Sequence, residues 1–184
     1  INTVYTAGSA GTITGLGNEV VSITEYGSTT AGLLNTINTA TTGIVIATSI
    51  SDIIGTIYQF KTLIDNEGAA GDKVSLDNDF IATLTDPAGT SISAVDLASI
   101  GSATTGVVSV SNAVEISGDH DQLIAALFTS DSRVLLGGGS NDATIIINDA
   151  AGTEIDATEL SSIGEQTNSS VSGCSFNNCS TFSN

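Results

Sequence analysis

The residues best suited to chemistry are oxygen-bearing side chains gathered on short polar runs: Asp77-Asn78-Asp79, Asp119-His120-Asp121, Asp65-Asn66-Glu67 and Asn141-Asp142. Hard cations such as calcium take clustered carboxylate and carbonyl oxygens on turns. Asp77, Asp79, Asp119 and Asp121 are therefore the candidate metal ligands, and calcium is the cofactor they would suit. None of these runs matches an EF-hand or the nonapeptide of calcium-binding β-rolls. Each also reads as a solvated turn or a helix N-cap, where Asp is favoured in any case. The chain has one histidine, His120. A Ser-His-Asp triad would have to use it, but no G-x-S-x-G elbow occurs. Gly15-Leu16-Gly17 and Gly137-Gly138-Gly139 do not extend into G-x-G-x-x-G, and they read as turns. Paired carboxylates of the glycosidase kind are available by count. With no Trp, and only Tyr5, Tyr26 and Tyr58, an aromatic sugar platform is not expected. The expectation is a protein without catalytic residues.

The elements that must position these groups sit in an unusual composition. The 184 residues suffice for one sizeable core. Asp and Glu number 20 against three cations, Lys61, Lys73 and Arg133, for a net charge of −17. Nucleic acid would be repelled by that surface, as would an anionic membrane. No run of 18 apolar residues occurs, so no membrane insertion is expected. The two cysteines, Cys174 and Cys179, share the run Cys-Ser-Phe-Asn-Asn-Cys. They are a disulfide candidate that would fit an oxidising compartment, or two free thiols. C-x₄-C alone makes no zinc site. Asn168 and Asn178 stand in N-x-S sequons. Abundant Ser and Thr with almost no Lys favour an extracellular, cell-surface setting. The chain opens on Ile1 without a methionine, which reads as processing or as a fragment.

Self-similarity at one offset is the strongest signal. LNTINTATTGIVIA from Leu34, LASIGSATTGVVSV from Leu97 and LSSIGEQTNSSVSG from Leu160 align at a spacing of 63 residues. Leu34, Leu97 and Leu160 fall together, as do Ile37, Ile100 and Ile163. These six are the expected repeat core. The division is an atypical N-terminal strand segment over 1–28, a first repeat over 29–77, a second over 78–140, a truncated third over 141–173 and a Cys-containing tail over 174–184.

Within the second copy, Phe80 to Thr85 alternates as a strand does. Asp86-Pro87-Ala88-Gly89 has type I turn chemistry. Ser93 to Asp96 reads as a capping-box start for a helix carrying Leu97 and Ile100 on one face, and Asp156 to Glu159 repeats it. Gly101 and Gly164 are expected as left-handed caps. Gly106 to Val110 reads as a strand. Asp119 to Gln122 should start a second helix with Leu123, Ile124 and Leu127 inward, matched by Thr56 to Gln59 with Ile57, Phe60, Leu63 and Ile64. Arg133 to Leu136 reads as the next strand. The expected fold is a β-dominated mixed α/β, elongated repeat fold of about two and a half units. A truncated last unit would leave an edge or apolar face for another subunit. The donor-strand candidates are Ile1, Val4, Ile13, Val20 and Ile23. The competing reading has this N-terminal strand folded back into its own chain.

The pattern L-x-x-I-x-x-A-T-T-G-x-V, followed by I-x-G and a helix start, resembles repeats in large secreted and cell-surface proteins of bacteria, such as marine cyanobacterial surface proteins and haemolysin-like adhesins. It is carried by Leu97, Ile100, Ala103-Thr104-Thr105-Gly106, Val108, Ile116 and Gly118, with counterparts from Leu34 to Gly55. The third copy departs from it at Gln166-Thr167-Asn168-Ser169. The resemblance implies surface display, adhesion or assembly, and no catalytic residues. The leading expectation is a structural subunit of an extracellular filament or surface layer. It would assemble with itself by repeat stacking and strand addition. The alternatives are an adhesin-type binding module and a virion surface protein.

Overall fold

The computed structural model describes residues 3–4, 7, 10, 17–67, 73–128, 133–137, 142–150, 152–173 and 182–183. The chain runs β1 (Val21–Ser22), β2 (Gly27–Thr30), α1 (Ala31–Ala40), β3 (Val45–Ala47), β4 (Ile50–Gly55), α2 (Ile57–Asp65), β5 (Val74–Leu76), β6 (Ile81–Leu84) and β7 (Ser91–Ser93). It continues with α3 (Ala94–Ala103), β8 (Val107–Val110), β9 (Glu115–Gly118), α4 (His120–Phe128), β10 (Arg133–Leu136), β11 (Thr144–Ile147), α5 (Ala157–Gly164), β12 (Ser170–Gly173) and β13 (Phe182–Ser183). The fold is mixed α/β.

The strands form three sheets, ordered β1-β3-β5, β2-β4-β6-β8-β10 and β7-β9-β11-β12-β13. Every pair is parallel except β12–β13. Parallel neighbours need a long connection, and a helix usually supplies it. Here each strand meets a partner one coil further along the chain, as in Thr29↔Ile53, Ile53↔Ala82, Ala82↔Val108 and Val108↔Val134. The helices form a row in chain order, each packed on the next from α1 to α5.

Local chemistry explains the helix starts. Thr30 caps α1 by accepting from Leu33 N. Thr56 and Gln59 close a reciprocal capping box on α2. Asp119 and Gln122 exchange the same two bonds at α4, at 3.1 and 2.8 Å. Ser93 and Asp156 accept from the amide two residues on, at α3 and α5. Once started, each helix turns Leu or Ile onto the sheets. Leu34, Leu97, Ile100 and Ile163 are fully buried and Ile37 nearly so. Strand alternation supplies the other half of the core, with Ala82, Leu84, Val108, Val110, Ile116 and Ile145 buried. Phe60, Leu63, Leu123 and Leu127 face inward, whereas Ile57, Ile64 and Ile124 are partly buried at its margin.

Several expectations are corrected. Among the described residues helices hold about as many positions as strands, so the fold is not β-dominated. Gly101 lies inside α3, which continues to Ala103, and Gly164 ends α5; neither has a positive φ. The helix stops instead at Thr104, whose extended backbone (φ −142°) turns the chain toward β8. Thr3, Val4 and Ala7 are helical, not extended. Val21 pairs with Val45, and of the donor candidates Ile23 packs on the core of its own chain. Val20 and Val4 are exposed. Ile1, Ile13, Cys174 and Cys179 lie outside the described residues.

Close approach of backbones selects glycine at two matching places. A Cβ on Gly106 would collide with the carbonyl oxygens of Asp79 and Phe80, and one on Gly43 with that of Glu19. Nothing stands within 4 Å of a Cβ built on Gly164. Gly106→Ala should therefore destabilise the protein by about 1–3 kcal/mol through overpacking. Gly164→Ala should be neutral or stabilising by up to about 1 kcal/mol. Urea unfolding followed by circular dichroism checks both, and equal midpoints for the two variants would refute the close approach.

Candidate assembly surface

Two kinds of polar link tie one coil to the next. The first follows the odd-numbered helices. Thr104 Oγ1 donates to Phe80 O at 2.5 Å, Thr105 N donates to Asn78 O at 2.7 Å, and Thr104 Oγ1 accepts from Gly106 N at 2.9 Å. The same three bonds occur after α1, where Thr41 Oγ1 donates to Glu19 O, Thr42 N donates to Gly17 O and Gly43 N donates to Thr41 Oγ1. Thr41 and Thr104 are buried, and each hydroxyl finds its partner in a carbonyl of the preceding coil. After α5, Thr167 Oγ1 donates to Ala143 O, and Asn168 N donates to the buried Asp142 carboxylate. The Ala-Thr-Thr-Gly run of the first two copies is thus a clamp on the preceding coil.

The second link is a buried carboxylate at the start of each even-numbered helix. Asp86, first residue of the Asp-Pro-Ala-Gly turn, accepts from Ile57 N at 2.8 Å. Asp149, 63 residues on, accepts from His120 N at 2.9 Å. A carboxylate at a helix N-terminus meets both unpaired N–H groups and the positive end of the helix dipole. Asp149 makes a further contact, 2.7 Å from His120 Nδ1. That bond raises the His120 pKa above its ordinary value of 6.5, against the opposing effect of burial. The charges of Asp149, Asp121 and Glu159 add to the rise.

Two of the four expected metal ligands, Asp77 and Asp119, accept hydrogen bonds from nearby backbone amides. Asp77 Oδ1 accepts from Asn78 N, Asp119 caps α4, and Asp121 points to solvent 3.5 Å from His120 Nε2. Asp79 serves through its carbonyl beside Gly106. Glu67 Oε1 accepts from Leu76 N, and Asp65 pairs loosely with Lys61. Among the described residues no three His, Cys, Asp or Glu side chains come together as a metal site would need. The glycosylation candidate Asn168 is exposed on the turn between α5 and β12; Asn178 is not described.

An apolar pocket of about 370 Å³ opens beside the last helix, lined by Ala157, Leu160, Ser161, Gly164, Glu165, Ser169 and Val171. The corresponding positions 63 residues earlier include Ala94, Leu97, Gly101 and Val108, all buried, with α4 packed against α3. Leu160 is half-buried, unlike Leu34 and Leu97. Sequence reasoning placed Leu160 in the core and missed this pocket, because one residue type marks both a covered and an uncovered helix face. On the outer edge of β12 lies β13, antiparallel, through Ser170↔Ser183 and Val171↔Phe182.

No family model matches the chain, and no curated protein or solved structure is significantly similar to it. Among the described residues no helix is long and apolar enough to cross a membrane.

The His120–Asp149 contact gives a pH dependence of defined sign. A pKa raised on folding contributes stability that is fully present below the unfolded value of 6.5 and is lost as pH rises through the folded value. The urea midpoint of the native protein should therefore fall as pH rises above 6.5 and through the raised folded-state value. In His120→Gln that fall should vanish. An identical pH trend in the variant would remove the pair from the account.

Proposed function

We propose that this protein is a structural subunit of an extracellular filament or surface layer, and that copies assemble by stacking their repeat units, with strand addition where sheet edges meet. The observation that carries the reading is the uniform way one coil is held to the next. Backbone ladders, threonine clamps and buried turn carboxylates all act between successive coils. An architecture stabilised by nearest neighbours extends by adding neighbours. The element bounds support an elongated repeat fold: 63 residues separate α1 from α3, α2 from α4, β6 from β11 and β8 from β12. Surface display follows from the resemblance to bacterial surface repeats and from a composition poor in Lys and rich in Ser and Thr.

An adhesin-type module is the second reading, favoured by the exposed rings of Tyr26 and Tyr58, which could stack on a sugar. The two readings separate by assembly of the protein alone.

A charge of −17 makes copies repel, and salt screens that repulsion. Purified protein should therefore stay dispersed at low ionic strength and form regular filaments or sheets in the electron microscope near 0.5 M NaCl, where the screening length is about 4 Å. Dispersed monomers at every salt concentration, together with retention on a glycan array, would replace the structural reading with the adhesin one.

A further inference from the structure

We infer that the outer face of the sheet β2-β4-β6-β8-β10 is a contact between two copies of this chain, packed face to face about a two-fold axis that runs along the strands between β6 and β8. This rests on the self-assembly reading above and names one of its contacts. Strand alternation defines the face. Ile53, Ala82, Val108 and Val134 are buried on the inner side. The positions on either side of them therefore fall on the outer face. The pairing register orders these positions in two rows. Asp52, Ile81, Val107 and Arg133 share one level of the ladder, and Ile54, Thr83, Ser109 and Leu135 share the next. Ile81 is 44 % exposed and Leu135 59 %, while Val107 and Ile54 are partly buried. Thr83 Oγ1 donates to Asp52 Oδ1 at 3.5 Å, across the two rows.

The order of residue types in these rows is self-complementary. A two-fold axis along the strands keeps each row at its level and exchanges β4 with β10 and β6 with β8. Ile81 of one copy then faces Val107 of the other, Ile54 faces Leu135, and Thr83 faces Ser109. Asp52 comes opposite Arg133, and does so twice, because an isologous contact repeats each pair. Charge also selects a second copy as the occupant. The chain carries −17 overall, yet these two rows hold one acid and one cation, so two copies can meet here without opposing like charges. The four strands β4, β6, β8 and β10 span only about 14 Å across the ladder. That is small beside the roughly 800 Å² per partner of a stable complex. The contact is therefore weak for a single pair, and it gains strength where aligned copies repeat it side by side. It joins assemblies laterally, as a surface layer requires.

Charge reversal tests the pairing. Sedimentation equilibrium in 0.15 M NaCl, where the screening length is about 8 Å, should show the native protein exchanging between monomer and dimer. Asp52→Arg and Arg133→Asp each set like charges against each other. Each should raise the dimer dissociation constant about tenfold or more. Asp52→Arg also makes the chain less acidic, so pairing governed by net charge alone would tighten instead. Mixed in equal amounts, the two variants supply each other's missing charge, and their heterodimer should match the native dimer. Leu135→Glu changes an exposed side chain, should melt like the native protein, and should weaken pairing in the same way; it serves if a charge variant does not fold. Folded variants that dimerise like the native protein, or a mixture no better than either variant alone, would overturn this face. Native protein that stays monomeric here yet forms filaments near 0.5 M NaCl would overturn the face and leave self-assembly standing. Native protein that does neither would overturn both.

Discussion

The rest of the structure depends on one constraint: no coil can satisfy its own backbone. A strand of three or four residues, such as Val45–Ala47 or Ile81–Leu84, has no hairpin partner in its own turn of chain. Its N–H and C=O groups are met only by the strand one coil earlier and one coil later. Leaving them unmet in the interior would cost a desolvation penalty at each group. The apolar faces obey the same rule, since Leu97 and Val108 are covered by a neighbouring coil as well as by their own. The threonine clamps follow directly. Where α1 and α3 end and the chain turns into β3 and β8, the ladder has not yet begun, and a hydroxyl supplies the bond that no amide can reach. The clamp draws the backbones so close that the next residue is glycine in both copies.

The acidic character of the chain has a related cause in part. Asp86 and Asp149 are buried, yet each faces the N-terminus of a helix from the preceding coil, where a carboxylate is favoured. Asp119 and Asp156 cap helices from the surface. Acidic residues at helix starts therefore stabilise the coil, and one of the candidates read as calcium ligands, Asp119, is such a cap. A turn carboxylate and a metal ligand use the same residue types at the same short spacing, so the sequence alone could not separate them.

Legibility followed from how strongly each feature is repeated. The 63-residue offset located Leu34, Ile37, Leu97, Ile100 and Ile163, and the structure buries all five. The capping chemistry of Thr56-Gln59 and Asp119-Gln122 was equally plain, because those bonds are local. The parallel pairing was not legible. Its period is the single coil, and two successive coils differ too much in sequence to align. The helix caps held the missing signal: Thr30, Thr56, Ser93, Asp119 and Asp156 fall at spacings that alternate between 26 and 37 residues. Gly101 was misread because a glycine near a helix end usually marks a cap; here the chain leaves the helix three residues later, through Thr104.

In the proposed assembly, charge and packing pull in opposite directions, and their ranges decide where each acts. Carboxylates spread over the surface repel at distances comparable to the screening length, about 8 Å at physiological salt. Apolar contact acts only when surfaces touch. In the proposed assembly, a surface of this charge keeps copies apart until salt shortens the reach of the repulsion, after which apolar contact sets the geometry. The third-copy clamp fits that division. Where the first two copies use a backbone carbonyl to hold the second threonine's amide, the third uses the carboxylate of Asp142 to hold Asn168 N. The turn after α5 is thus fastened by a buried ionisable side chain where the first two copies use a backbone carbonyl.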